Sequence, residues 1–472
     1  MIPRRSHIPS PTVFFRVPFR HQLNTFLVFV LGLVFSSVMI LPTKADSPPQ
    51  PNLIVIMADD LGYGDLSCYG NEVIKTPNLD QLAAEGMKFT DFHSSGAVCS
   101  PTRAGLLTGR YQQRAGVDGV IFADPQQNRH HGLYPSEITF SQVLKETGYA
   151  TACIGKWHLG YRKEFNPVHH QFDLFRGYVS GNVDYHSHVD RMGVLDWWNG
   201  LRIENEPGYS TYLIGDYACE FIKDNQDQPF CLYIAHEAPH TPYQGPNDVP
   251  VRAEGKKGQI RPSRTDSQMA LKEMIEAMDK TVGQVMQTLQ ETNLEENTFV
   301  FFLSDNGGTA DSNNGPLRGK KGTFWEGGHR VCAMAKWPGK IEAGTVSKAT
   351  AISIDLMPTI LEIAGAKVPE GHQLDGISLK SHLFTKEKLP NRAIYWTTNG
   401  KMAMRKGPWK LLYPKRNSEP ELYHLGKDLG ESNNLAQEYP DRVNHMTRSL
   451  RRWKEEVEAD ATPQKAEPIE KL

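Results

Sequence analysis

Four short apolar runs, each of strand length and each running straight into ionisable residues, constrain this chain more than any other feature. They are Asn52–Ala58, Tyr149–Ile154, Phe230–Ala235 and Thr298–Leu303, and they are rich in β-branched and aromatic residues. Their apolar character is continuous rather than alternating, which fits strands buried on both faces. Helical patterns lie between them, at Ser136–Thr147 and at Ser267–Thr292. In the second, Met274, Met278, Val282, Val285 and Leu289 recur at helical spacing, a stripe that reads as core packing. Buried strands alternating with helices predict an α/β fold: a large domain with a mixed, mainly parallel sheet sandwiched by helices. From about Arg392 the texture changes. Ala393–Trp396, Met402–Arg405 and Trp409–Tyr413 are strand candidates divided by Gly and Pro turns, and a charged helix, Asp441–Glu458, follows. This predicts a small C-terminal domain with a short antiparallel sheet and one helix.

At 472 residues the chain exceeds one typical compact core. It is expected to divide into a signal peptide over 1–45, a catalytic domain over 46–385, a small subdomain over 386–460 and a tail over 461–472 that frays. The first 45 residues hold Arg4, Arg5, Arg16 and Arg20 but no Asp or Glu, then the apolar run Phe26–Leu41 and the exit Thr43-Lys44-Ala45. Basic start, apolar centre and small-residue exit describe a secretory signal, with a retained anchor as the alternative. The expected destination is export, periplasmic or secreted, with no membrane attachment after cleavage. The net charge of -2 and the lack of a basic stripe argue against a nucleic-acid partner, while leaving room for a local basic pocket. Six cysteines show no CxxC spacing, and Cys153 and Cys231 read as buried thiols.

The strand ends carry the chemistry. The first run ends at Asp59-Asp60, the second at Lys156 and His158, the third at His236 and His240, the fourth at Asp305-Asn306-Gly-Gly. Ligands of open α/β sheets bind at the carboxyl ends of the strands, so these groups are predicted to meet at one edge. Each piece alone has an ordinary structural role as a turn, a cap or a bonded histidine; their coincidence points to a site. Asp59, Asp60, Asp305 and Asn306 are oxygen donors and suit a hard cation, Ca²⁺ first and Mg²⁺ as the alternative. Cys99-Ser-Pro-Thr-Arg-Ala-Gly-Leu-Leu-Thr-Gly-Arg110 predicts a helix with Ser100 as cap, Pro101 at its first helical position and an end near Gly109. Cys99 then lies at a helix N-terminus, with Arg103 on the same face. From local physics alone it reads as a reactive thiolate.

The segment Cys-x-Pro-x-Arg followed by x-Gly-Leu-Leu-Thr-Gly-Arg resembles the signature of the sulfatases, in which the cysteine is oxidised to formylglycine. Asp59-Asp60, Gly-Lys-Trp-His, Pro-His-x-Pro, Asp-Asn-Gly-Gly and Lys-Gly-Thr-Phe-Trp-Glu-Gly-Gly join it in the family's order, over about Asn52 to Gly328. The resemblance implies a sulfuric ester hydrolase of the arylsulfatase type. It implies metal ligation by Asp59, Asp60, Asp305, Asn306 and the modified Cys99. Arg103 and Lys156 would hold the formylglycine hydrate, and His158 would assist breakdown of the sulfated form. His240 and Lys321 would contact the sulfate and help the departing oxygen accept a proton. Of the adjacent Lys320 and Lys321 the motif favours Lys321, and His236 is a weaker candidate. A formylglycine-generating enzyme is the implied maturation partner.

The segment Gly177–Gly200 mixes aromatic and charged residues and reads as a loop-like insert suited to sugar rings, with His186 and His188 as substrate-binding candidates. Asp184-Tyr-His-Ser-His188 and Asn314-Gly-Pro-Leu-Arg-Gly are weakly similar to the N-acetylgalactosamine sulfatase branch. The substrate expectation is therefore a sulfated carbohydrate ahead of a small aryl sulfate. Two other readings compete: a phosphonate or phosphate monoester hydrolase of the same superfamily, and a secreted glycan-binding protein without turnover.

Overall fold

A parallel core of five adjacent strands runs, in spatial order, Thr298–Ser304, Asn52–Ala58, Phe230–Ala235, Ala150–Lys156 and Leu174–Tyr178. The computed structural model describes residues 50–464, so the expected signal segment lies outside the described residues. The sheet is completed to eleven strands on both sides. Arg330–Lys336 and Met87–His93 add antiparallel pairings beyond Thr298–Ser304. Trp198–Asn199 and Arg202–Ile203 add an antiparallel edge beyond Leu174–Tyr178.

The central strand shows why continuous apolar runs were needed. Leu53, Val55 and Met57 pack into one core cluster, and Ile54, Ile56 and Ala58 into the other, so alternate residues feed opposite faces. Burial of each large side chain contributes about 1.5–3 kcal/mol. Ser267–Glu291 covers one face through Met274, Met278, Val282, Val285 and Leu289, as its stripe predicts. Cys99–Thr108 and Leu356–Ala364 cover the other. The helix expected over Ser136–Thr147 is shorter, Phe140–Glu146, because its first residues form a turn.

The C-terminal sheet is antiparallel: Ala393–Thr398, Lys401–Lys406, Trp409–Tyr413 and Glu421–His424. Pro440–Ala459 lies on it through Val443, Met446, Leu450, Trp453 and Val457, and the Trp453 ring stacks on Tyr395 at 4.8 Å. Buried charges stitch this sheet to the large domain. Lys410 lies 2.8 Å from both Glu326 and Glu431, and Arg405 donates to Asp91 at 2.8 Å. The tail expected to fray is pinned over its described part. Thr462 N–H donates to the Arg114 carbonyl at 2.8 Å, and Gln464 donates to the Gly116 and Gly132 carbonyls.

Gly155 ties the fold to the site. It sits at φ +104, and a Cβ there would lie 2.1 Å from the Ala235 carbonyl oxygen on the next strand. Gly155→Ala must push adjacent strand ends apart immediately before Lys156 and His236. The expected cost is about 1–3 kcal/mol in a denaturant melt. An ångström of misplacement at Lys156 adds a loss of roughly 100-fold in turnover. Full activity in this variant would show that the strand ends need no such closeness.

Candidate active site

The strand register brings the acidic groups together. Ala58 pairs with Ser304, which sets Asp59 beside Asp305, and the Asp60 N–H donates to Asp305 Oδ1 at 3.2 Å. Asp60 itself adopts φ +67, turning the chain out of the strand. On the other side, Lys156 ends its strand with its ammonium bonded to Asp59 Oδ2. Asp59, Lys156, Arg103 and Asp305 are all fully buried. Arg103 donates through Nε and Nη2 to Asp305 Oδ2 at 3.2 and 2.9 Å, through Nη1 to the Lys156 carbonyl at 3.1 Å, and lies 3.8 Å from Asp59. Two cations inside thus neutralise a cluster that desolvation would otherwise keep from ionising. Burial and the Asp59 charge nonetheless push the Asp305 carboxyl up to about 6.

Cys99 opens the helix Cys99–Thr108, which closes at Gly109 in the left-handed conformation. The helix begins earlier than expected: Val98 is its cap, and Ser100 instead accepts from the Ile121 N–H at 3.2 Å. Cys99 Sγ lies 3.4 Å from Asp59 Oδ1 and 3.4 Å from Lys321 Nζ. Burial and the Asp59 carboxylate push the unconverted thiol up to about 12, so it is not the thiolate that the helix terminus alone suggests. Of the adjacent lysines it is Lys321 that enters, with Nζ 2.6 Å from Asp60 Oδ1, while the Lys320 backbone only closes a turn with Thr323. The Gly322 N–H donates to the Ala97 carbonyl at 2.8 Å, which stitches this loop to the approach of Cys99.

The two histidines are electrically neutral and differently set. His158 sits at φ +55 with Nε2 2.9 Å from the Ile121 carbonyl, so Nε2–H donates. Its Nδ1 is buried without a partner, which leaves a free base beside the cavity. Burial, then the Lys156 charge, holds its pKa well below the ordinary value. His240 has Nδ1 2.7 Å from the Thr241 carbonyl and Nε2 3.6 Å from Asp60 Oδ2. Burial, then Lys321, lowers it to about 3. His236 is apart from this group; its Nε2 meets the Thr281 hydroxyl at 3.3 Å under the sheet.

Cys99, His158, His240 and Lys321 share one cavity of about 110 Å³. That is small beside the roughly 300–1,000 Å³ of a drug-sized site, so it holds a reacting group rather than a whole oligosaccharide. His186 and His188 do not line it, contrary to expectation. His188 is buried, stacked on Trp197 at 4.2 Å, with Nε2 on the Gly208 carbonyl, and His186 Nε2 meets the Gly245 carbonyl. The segment around them is also no exposed loop: Tyr178, Asp184, Tyr185 and Trp197 are fully buried. What it gives the cavity is Ser180, Gly181, Asn182 and Arg191. Phe122 joins from another loop. No residue type or spacing marks Asn182 or Phe122 in the sequence, because both belong to loops whose course only the fold decides.

The family described as Sulfatase matches residues 51–366, and the one described as N-sulphoglucosamine sulphohydrolase, C-terminal, matches 320–458. The N-acetylgalactosamine-6-sulfatase of Rattus norvegicus is 31% identical over 86% of this chain and 86% of its own length. Arylsulfatase G of the same species is 30% identical over 90% of this chain and 91% of its own. Among solved structures, Ps i-CgsB in complex with k-i-k-neocarrahexaose superposes with a TM-score of 0.77 at 29% identity, covering 88% of this chain and 95% of that one. The chain belongs to the sulfatase family, the hydrolases of sulfuric esters.

Proposed function

We propose that Cys99 is converted to formylglycine and that the chain then cleaves the sulfate monoester of a sulfated sugar or polysaccharide fragment. The observation that carries this is the place of Cys99 Sγ in the cavity, equidistant at 3.4 Å from Asp59 and Lys321. Relatives named for N-acetylgalactosamine-6-sulfate chemistry support a sugar over a simple aryl sulfate. Conversion requires a formylglycine-generating enzyme in the producing cell, and the basic, then apolar N-terminus supports export, periplasmic or secreted.

A hard cation fits here, with Ca²⁺ ahead of Mg²⁺ because the donors form an irregular set. Ligand atoms of Asp59, Asp60, Cys99 and His240 lie within 4.8 Å of one another. Asn306 donates through Nδ2 to Asp60 and to the Gly307 carbonyl, yet its buried Oδ1 has no hydrogen-bond partner, so an oxygen donor stands free. Asp59, Asp60, Asp305, Asn306 and the converted Cys99 would hold the ion. When bound, it supplies Lewis-acid polarisation of the ester oxygens. The converted residue 99 supplies, as its hydrate, two hydroxyls on one carbon: one nucleophile toward sulfur and one means of release.

The other residues divide the remaining work. Arg103 and Lys156 fix the carboxylates and present positive charge beside residue 99. His158, neutral and with Nδ1 free, accepts a proton there. Lys321 stays charged: burial opposes its ammonium, but the Asp60 and Asp59 carboxylates raise its pKa well above normal. It therefore neutralises charge growing on the sulfate, and His240 on the same wall meets the departing oxygen. Peptide mass spectrometry around residue 99, on enzyme made in a converting host, tests the reading. The thiol peptide should be replaced by a lighter aldehyde peptide; active enzyme carrying only the unmodified thiol overturns it.

A further inference from the structure

The reacting sulfate has its charge partners inside the cavity, yet a further cation stands at the rim. Arg191 lines the same cavity as Cys99, His240 and Lys321, and its side chain is exposed. Among the described residues its guanidinium has no carboxylate partner. By contrast Lys257, next to the Gly258 that bonds the Arg191 turn, is paired with Asp124 at 3.7 Å.

The presentation of Arg191 is built. Asp190 is buried, and its Oδ1 accepts from the Met192 and Val194 N–H groups at 2.8 and 2.9 Å. The Asp190 N–H donates to the Val194 carbonyl at 2.8 Å, and the Gly193 N–H to the Asp190 carbonyl at 3.1 Å. The Arg191 carbonyl accepts from the Gly258 N–H at 2.9 Å, so a second loop also holds the turn. Fixing the backbone of an exposed arginine lowers the ordering cost of whatever the guanidinium binds. Nearby, Asn182 is nine-tenths buried with an unpartnered Oδ1, and Phe122 offers an exposed ring. An arginine fork, an amide acceptor and an aromatic face form a wall for a hydroxylated ring carrying a second anion.

We propose that Arg191 is a specificity-determining residue that binds a second anionic group, a carboxylate or a further sulfate, on the sugar chain bearing the scissile ester. This rests on the sulfated-sugar reading above. Both anions present paired oxygens that a guanidinium meets with two parallel N–H donors, which a lysine cannot imitate.

The test measures kcat/KM for full-length wild type, Arg191→Gln and Arg191→Lys on four substrates. These are p-nitrophenyl sulfate, a neutral sugar with one sulfate, the same sugar linked to a uronate, and its disulfated form. In Arg191→Gln the preference for a second-anion substrate over the singly sulfated sugar should fall about 10- to 100-fold, through KM. Arg191→Lys should recover only a fraction of it. Loss confined to the uronate, or to the disulfated sugar, identifies which anion is bound. A preference ratio that does not move in either variant overturns the proposal while leaving the sulfatase reading intact. Wild type that turns over none of the four overturns the reading beneath it as well.

Discussion

Cys99→Ala is expected to fold as the parent does and to lose at least about 10⁴-fold in kcat, as enzymes do on losing a nucleophile. Two separate reasons combine. The small stability cost follows because every group around Sγ keeps another partner: Asp59 keeps Lys156, and Lys321 keeps Asp60. The large kinetic cost follows because residue 99 is the group that makes the bond to sulfur in the reading above, and the serine hydroxyl that lines the cavity, that of Ser180, is engaged in donating to the Asn182 carbonyl. Thermal melting beside turnover of p-nitrophenyl sulfate separates the two. Activity within tenfold of the parent would falsify the assignment of residue 99.

Arg103→Met should fail in the opposite way, through stability as well as rate. Its guanidinium makes two bonds to Asp305 and one to the Lys156 carbonyl with no exposure to solvent. Met fills much of the volume but leaves Asp305 without its counter-ion. Breaking a buried pair from one side costs about 3–5 kcal/mol. Urea unfolding followed by fluorescence reads this directly, and turnover should drop together with it by about 100-fold or more. Unfolding within about 1 kcal/mol of the parent would mean that the pair behaves like a surface ion pair.

The features legible in the sequence are those that local physics determines alone. Asn52–Ala58 and Trp409–Tyr413 form strands with the bounds that their apolar runs predict, and the Met274–Leu289 stripe lies on the core. Strand-end groups were legible too, since a parallel sheet delivers its carboxyl ends to one edge whatever the details. Ser100 misled because a good capping residue was outcompeted by a distant N–H, that of Ile121. His186 and His188 misled because a polar aromatic segment looks alike whether it faces a ligand or packs inside; burial of Trp197 decides it. Arg191 and Phe122 had no periodic signal, being placed by turns closed through Asp190 and Asn128.

The contact between Lys410 and its two carboxylates has a consequence for anyone who would cut or recombine this protein. Glu326 opens the short helix Glu326–His329, just downstream of the loop that carries Lys321 into the cavity, and Lys410 comes from the C-terminal sheet. All three side chains are wholly shielded from solvent. The C-terminal sheet with its helix is therefore not an exchangeable cassette. Deleting it would take away Lys410 and Glu431 together and uncover Glu326, while transplanting it from a relative that keeps the second acid but lacks the lysine would leave two carboxylates facing each other in the interior beneath the very loop that positions Lys321. Chimeras in this fold should take their junction upstream of that loop, so that the lysine and both of its acids travel together.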